Sequence, residues 1–170
     1  RYGRAGLELF NVINPVEFCD THVSGYTKTP LDLYGNTTSL YDDLKRVLDD
    51  VKTWDHILMQ SKFKGVMQSE ALGAVLDTPR LNLLEEFNQV KGIRADFTYA
   101  LAGCFNYGGY TALLVVNASI DEADVSNVYV DFDRQVRGYY ILNGKRQDFT
   151  GGICTVPALQ AGQAAMIVLE

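Results

Sequence analysis

One long amphipathic stretch lies within Gly35–Val66, GNTTSLYDDLKRVLDDVKTWDHILMQSKFKGV. Apolar side chains fall at Leu40, Leu44, Val47, Leu48, Val51, Trp54, Ile57 and Leu58. That spacing draws a single apolar stripe along a helix of about six turns. Ser39, with Asp42 three residues later, fits a capping box, and Asp42 and Asp43 suit the positive end of the helix dipole. Gly35-Asn36 in front is a turn signal. A helix of this length with one apolar face has to lie against a large apolar surface, and nearly everything after it in the sequence reads as β.

Ahead of the helix, Gly6–Asn14 (GLELFNVIN) is an almost unbroken apolar run ended by Asn14-Pro15. It suits a strand covered on both faces. Pro15–Gly35 has no periodic signal, and loops of that length inside compact domains are often functional. Strand, loop and helix together form a β/α unit that cannot stand alone. The chain therefore reads as a piece of something longer.

After the helix, Phe63–Met67 is strand-like, Ser69–Asp77 is ambiguous, and Arg80–Gln89 suits a short helix or an extended segment. From Ala95 on, strands come at regular spacing. Phe97–Asn106 leads through the hairpin signal Gly108-Gly109 into Thr111–Ala118. Val128, Val130 and Phe132 alternate as in a half-buried strand. Gly138–Leu142 turns at Asn143-Gly144 into Arg146–Phe149. Ile153–Val156 follows Gly151-Gly152, Pro157 and Gly162 interrupt, and Ala164–Leu169 closes the series. Short strands separated by such turns point to an antiparallel β-sandwich. The expected fold class is α+β: residues 1–62 a long amphipathic helix and strand of a partial β/α unit, residues 63–170 the sandwich.

Composition narrows the function more by exclusion than by assignment. A formal net charge of −6, with no run of more than two basic residues, disfavours nucleic acid. No apolar run approaches the roughly 18 residues of a membrane span. Cys19, Cys104 and Cys154 lack metal-ligand spacing; the latter two sit in strand-like runs and suit small core residues. His56 lies on the polar helix face, and His22 lacks partners for a zinc site or a triad. No metal and no cofactor is expected, and the compartment is not legible. The paired acids Asp42/Asp43, Asp49/Asp50 and Asp121/Glu122/Asp124 read as solvated charge. Glu17 and Asp20 sit past the end of the buried strand, where an α/β barrel carries functional groups. Asn36-Thr37-Thr38 and Asn117-Ala118-Ser119 match the glycosylation pattern.

Taken together, GLELFNVIN, DLYGNTTSLYDDLKRVLDDVKTWDHIL and FKGVM resemble the last β/α unit of (β/α)₈-barrel glycoside hydrolases of the β-galactosidase-like sort and their bacterial relatives. Asp32, Gly35, Thr38 and Tyr41 match the phrase that opens their eighth helix. ALAGCFNYGGYTALLVVNAS, VYVDFD, GYYILNGK and VPALQAGQAAMIVLE resemble their C-terminal sandwich. The resemblance implies catalytic glutamates upstream of Arg1, so no catalytic residue is expected here. It makes the loop after the first strand the rim of a sugar site, with Asn14, Glu17, Asp20 and His22 as candidate substrate-binding residues. The tryptophan that often ends the eighth strand is absent; Val12, Ile13 and Asn14 stand there instead. Expected partners are carbohydrate, an upstream barrel domain of the same protein, and a second copy through the exposed strand Gly6–Asn14. A free-standing carbohydrate-binding or adhesion module is the alternative, which an exposed row of Tyr107, Tyr110, Tyr129, Tyr139 and Tyr140 would mark. A small complete hydrolase using Glu17 and Asp20 is a third.

Overall fold

The computed structural model describes residues 29–32, 34–69 and 82–170. Gly6–Asn14 and the loop residues up to Lys28 lie outside these. Helix α1 spans Ser39–Met59. Its entrance is built by Asp32. One carboxylate oxygen accepts the backbone N–H groups of Tyr34 and Asn36 at 2.9 and 2.8 Å, and the other accepts the Asn36 side-chain amide at 2.9 Å. These donors, the Asn36 amide first, hold the Asp32 carboxyl below its ordinary pKa. The Thr38 hydroxyl donates to the Thr29 carbonyl. The expected capping box of Ser39 and Asp42 is not among the hydrogen bonds of the described residues; the Asp32 turn fixes the entrance instead. Along the exposed face, Lys45 and Lys52 both pair with Asp49, and Arg46 pairs with Asp43. Such exposed pairs are screened by water and add little to stability.

The apolar stripe is buried only at its C-terminal end. Trp54 and Ile57 are buried, Leu44, Leu48, Val51 and Leu58 are half-buried, and Leu40 and Val47 are exposed. The chain divides into two compact units with a boundary between Thr53 and Trp54, so the two buried side chains belong with the strands that follow. Ser61 ends the helix by donating to the Ile57 carbonyl at 2.6 Å.

Among the described residues seven strands follow: β1 (Ser61–Gln68), β2 (Val90–Ala95), β3 (Ala100–Tyr107), β4 (Tyr110–Asn117), β5 (Val125–Leu142), β6 (Lys145–Gln160) and β7 (Ala164–Leu169). The expectation of an α+β chain holds. Where two packed sheets are expected, hydrogen bonding joins these strands into one antiparallel sheet, ordered β1-β3-β4-β7-β5-β2 with β6 on the other edge of β5. The sheet curls into a half-barrel because β5 changes neighbour partway along. Val128–Phe132 pairs with β2, and Gly138–Ile141 pairs with β7. Between these segments Phe132–Gln135 of β5 stand opposite Gly152 alone, since Asp131 pairs with Ile153 and Val136 with Gly151. A bulge of this kind bends a strand and increases its twist. Phe132 stacks on Phe149 with centroids 6.0 Å apart, filling the inside of the bend.

Two expected interruptions turn out to be bends within longer strands. Gly151-Gly152 lies opposite the β5 bulge, and Pro157 lies at a second bulge where Ser126 pairs with Leu159 and Val128 with Val156. Proline is tolerated there because a bulge has no ladder hydrogen bond to lose. β2 was not expected as a strand. The Arg80–Gln89 stretch, described from Asn82 on, carries isolated bridges at Leu83 and Phe87 and ends in a tight turn at Asn88-Gln89.

The main core lies inside the curl. It includes Met67, Ile93, Cys104, Leu113, Val115, Val130, Val156 and Ile167. Side chains alternate across a strand, so Phe105, Ala112, Met166 and Val168 point to the opposite face, and they too are buried. β7, AAMIVL, is therefore apolar and covered on both sides.

At Gly138 an added Cβ would sit 2.4 Å from the Val168 carbonyl oxygen and 3.2 Å from the Leu169 Cα, while at Gly92 it would meet nothing within 4 Å. Gly138→Ala is expected to force β5 and β7 apart and cost about 1–3 kcal/mol, as overpacking typically does. Thermal melts check this: Gly138→Ala lowers the Tm, while Gly92→Ala leaves it unchanged or raises it.

Candidate functional site

The β3–β4 hairpin turns at Gly108-Gly109 with φ of 54° and 94°. Two consecutive positive φ angles define the turn that best matches strand twist, and glycine adopts it without strain. A second tight turn, Phe87–Val90, closes with reciprocal backbone hydrogen bonds of 2.9 and 2.8 Å and carries Asn88 at φ 52°. This turn leans on the hairpin. The Asn88 amide donates to the Thr111 hydroxyl at 2.8 Å and reaches the Asn106 oxygen at 3.5 Å, and Thr111 donates to Gln89 Oε1 at 3.3 Å. The Asp133 N–H donates to the Gln89 carbonyl at 3.0 Å, which ties in the β5 bulge.

These segments enclose an open groove of ≈960 Å³, whose walls include Asn88, Gln89, Asn106, Tyr110, Asp133 and Arg134. Lys62 and Glu170 also border it, so the groove carries two cations and two anions. Tyr110 stands at its edge, 51% exposed. Three carboxamides with both donor and acceptor groups, around an otherwise buried hydroxyl, make a polar surface that is already positioned.

A second cleft, ≈1110 Å³, opens between the end of β1 and β2, with Gln68, Arg94, Thr98 and Asp131 among its walls. Arg94 donates to Asp131 at 3.1 Å and lies 4.1 Å above the Tyr129 ring. Gln68 Oε1 and Thr98 Oγ1 are buried without a hydrogen-bond partner among the described residues. Both atoms are closed to solvent, so a ligand entering the cleft would not meet them.

Asn14, Glu17, Asp20 and His22, the substrate-binding candidates from sequence, lie outside the described residues, as does Cys19. The expected tyrosine row is not presented. Tyr140 is buried, Tyr107 is half-buried, and Tyr129 and Tyr139 are half-buried under the guanidinium groups of Arg94 and Arg146. Cation–π contact with arginine occupies the faces a ligand would stack on. Asp32, Gly35 and Thr38 of the helix-opening phrase serve the turn in front of α1. Asn36 is exposed, but Asn117 is fully buried, its amide donating to the Leu159 carbonyl at 2.9 Å, so that acceptor pattern is not a glycosylation site in the folded protein. His56 is exposed, as expected. Among the described residues no group of His, Cys, Asp or Glu is arranged to hold a metal. Sequence reasoning missed the amide groove because its members come from two turns and a strand bulge that are far apart in the chain. The available signal was Asn88-Gln89 interrupting an apolar context between Phe87 and Val90. Compared with family models, curated proteins and solved structures, the chain matches none.

Cys104 and Cys154 are buried in the core, as expected, and burial pushes both thiols up to about 12. Both are expected to resist alkylation at neutral pH in a Cys19→Ser variant until denaturant opens the sheet. The unfolded thiols ionise from their ordinary value of 9.0, and the folded ones do not until about 12. Between these values the unfolded state holds fewer protons, so stability falls as pH rises past 9. Denaturant midpoints measured across that range check this: the fall shrinks in a Cys104→Ala/Cys154→Ala variant.

Proposed function

We propose that this chain is the non-catalytic C-terminal portion of a glycoside-hydrolase-like protein, whose β unit is a sandwich-type accessory domain that braces a (β/α)₈ barrel and contacts carbohydrate. The observation that carries the bracing role is the two-sided burial of β4 and β7. Ala112, Met166 and Val168 are nearly solvent-free on the face away from the main core. Strands covered on both faces are the mark of a sheet seated between layers, and a free-standing sheet usually has one wetted, polar face. These side chains are buried within this chain alone, so the covering layer is already part of it, and the sequence resemblance supplies the barrel as what lies beyond that layer.

The alternative, a free-standing carbohydrate-binding or adhesion module, draws its support from a solvated aromatic row. Of the five tyrosines it would use, Tyr110 alone is exposed.

Glycoside hydrolysis requires a protonated and an ionised carboxyl group held across the bond, about 5–9.5 Å apart. Glu17 and Asp20, three residues apart in one loop, would tend to lie on one side of a sugar. The chain is expected to give background rates on aryl β-galactoside and β-glucoside substrates, with Glu17→Gln indistinguishable from it. Turnover abolished by Glu17→Gln would make this chain a small hydrolase and end the accessory-domain proposal.

A further inference from the structure

We infer that the amide groove between the Phe87–Val90 turn and the tip of the β3–β4 hairpin is a binding site for a neutral oligosaccharide, with Tyr110 as the platform on which a sugar ring rests. This deepens the carbohydrate half of the function proposed above and rests on that reading, but its residues lie wholly within the β unit.

Three features select the ligand class. The first is charge. Lys62 and Arg134 are matched by Asp133 and Glu170 around the groove, so neither a polyanion nor a polycation gains from the local field, and a neutral ligand loses nothing. The second is hydrogen-bonding character. Asn88 spends its N–H₂ on Thr111 and Asn106, and Gln89 accepts from Thr111. That leaves the Asn88 oxygen as acceptor and the Gln89 and Asn106 N–H₂ groups as donors for sugar hydroxyls, which donate and accept at once. Their positions are set in advance by the bonds through Thr111, itself buried, at 2.8 and 3.3 Å. Groups fixed before the ligand arrives lose little freedom on binding. The third is the aromatic edge. Tyr110, 51% exposed, is not covered by a guanidinium, unlike Tyr129 and Tyr139. Gly108 and Gly109 beside it bear no side chains and leave its approach open. A tyrosine offers an apolar ring for the C–H face of a sugar and a polar tip for water.

An extended peptide also donates and accepts along its length, but it binds sheets by pairing with a free strand edge. β3 is flanked by β1 and β4, and β4 by β3 and β7, so the hairpin offers no such edge at the groove. The geometry favours the sugar.

The test is backbone-amide NMR of the full chain titrated with cello-, xylo-, manno-, malto- and galacto-hexaose, and with hexagalacturonate and an acidic and a basic decapeptide as the charged and peptide arms. Shifts at Asn88, Gln89, Gly109 and Tyr110 are expected with at least one neutral hexaose. Tyr110→Ala is expected to weaken that binding at least about tenfold, with an unchanged circular dichroism spectrum and Tm. Asn106→Asp, which keeps the shape but loses the donor and adds a charge, should weaken it as well. Four outcomes would each overturn the inference. No neutral hexaose shifts the groove amides at about 10 mM, well above the millimolar range of weak binding. Shifts map to the β2–β5 face instead. Hexagalacturonate or a peptide alone binds. Binding survives Tyr110→Ala at full strength. A failure here with background hydrolysis rates and an intact β4–β7 layer would remove the sugar site while leaving the bracing role standing.

Discussion

The fold depends on one constraint: β5 must pair with β2 at one end and with β7 at the other. A straight 18-residue strand could not do this without carrying both neighbours into a flat sheet. The four-against-one bulge at Phe132–Gln135 bends it, and Gly138 then lets the β7 backbone come closer than any side chain would allow. The bend turns what would be a flat sheet into a curl with an inside, and most of the core fills that inside. The same bulge delivers Asp133 and Arg134 to the groove at the hairpin tip. A feature needed for closure thus also aims side chains at a surface, as bulges often do.

The second consequence is a layer with two dry faces. β4 and β7 lie in the middle of the strand order, paired on both edges, so their backbone groups are satisfied whatever covers them. That frees both faces for apolar side chains. Inside the curl they meet the main core; on the far side Met166, Val168, Ala112 and Phe105 are buried as well, as are Trp54 and Ile57 at the end of α1. Both faces are covered within this chain alone. The chemistry open to a ligand is left to the strand ends, where turns, bulges and polar amides gather.

Much of this was legible in the sequence where local chemistry and global fold agree. Asn143-Gly144 and Gly108-Gly109 demand positive φ and flank apolar alternation, and both are hairpins. Ala164–Leu169 reads as the closing strand and is one, though its burial on both faces shows only in the structure. The 3.6-residue stripe located α1, but not how much of the stripe is covered, since that depends on what lies alongside. β2, VKGIRA, was missed because it is short, charged and interrupted by a bulge at Lys91 that hides its alternation. Gly151-Gly152 and Pro157 were read as strand ends because glycine and proline break strands and also permit bulges; only pairing distinguishes the two. The tyrosine row failed because period alone cannot show that Arg94 and Arg146 lie over two of its rings. The amide groove escapes the sequence, apart from the local sign of Asn88-Gln89, since it exists only once two distant turns and the β5 bulge meet.

The three methionines give the most direct test of the two-faced layer. Met67 is in the main core at 2% exposure, Met166 is on the far face at 0%, and Met59, at the end of α1, is 57% exposed. With the methionine methyls labelled with carbon-13, a soluble paramagnetic probe should broaden the Met59 signal and leave Met67 and Met166 equally sharp. A Met166 methyl that broadens along with Met59, while Met67 stays protected, would mean that the far face of β4 and β7 is wet, and would contradict the two-faced layer.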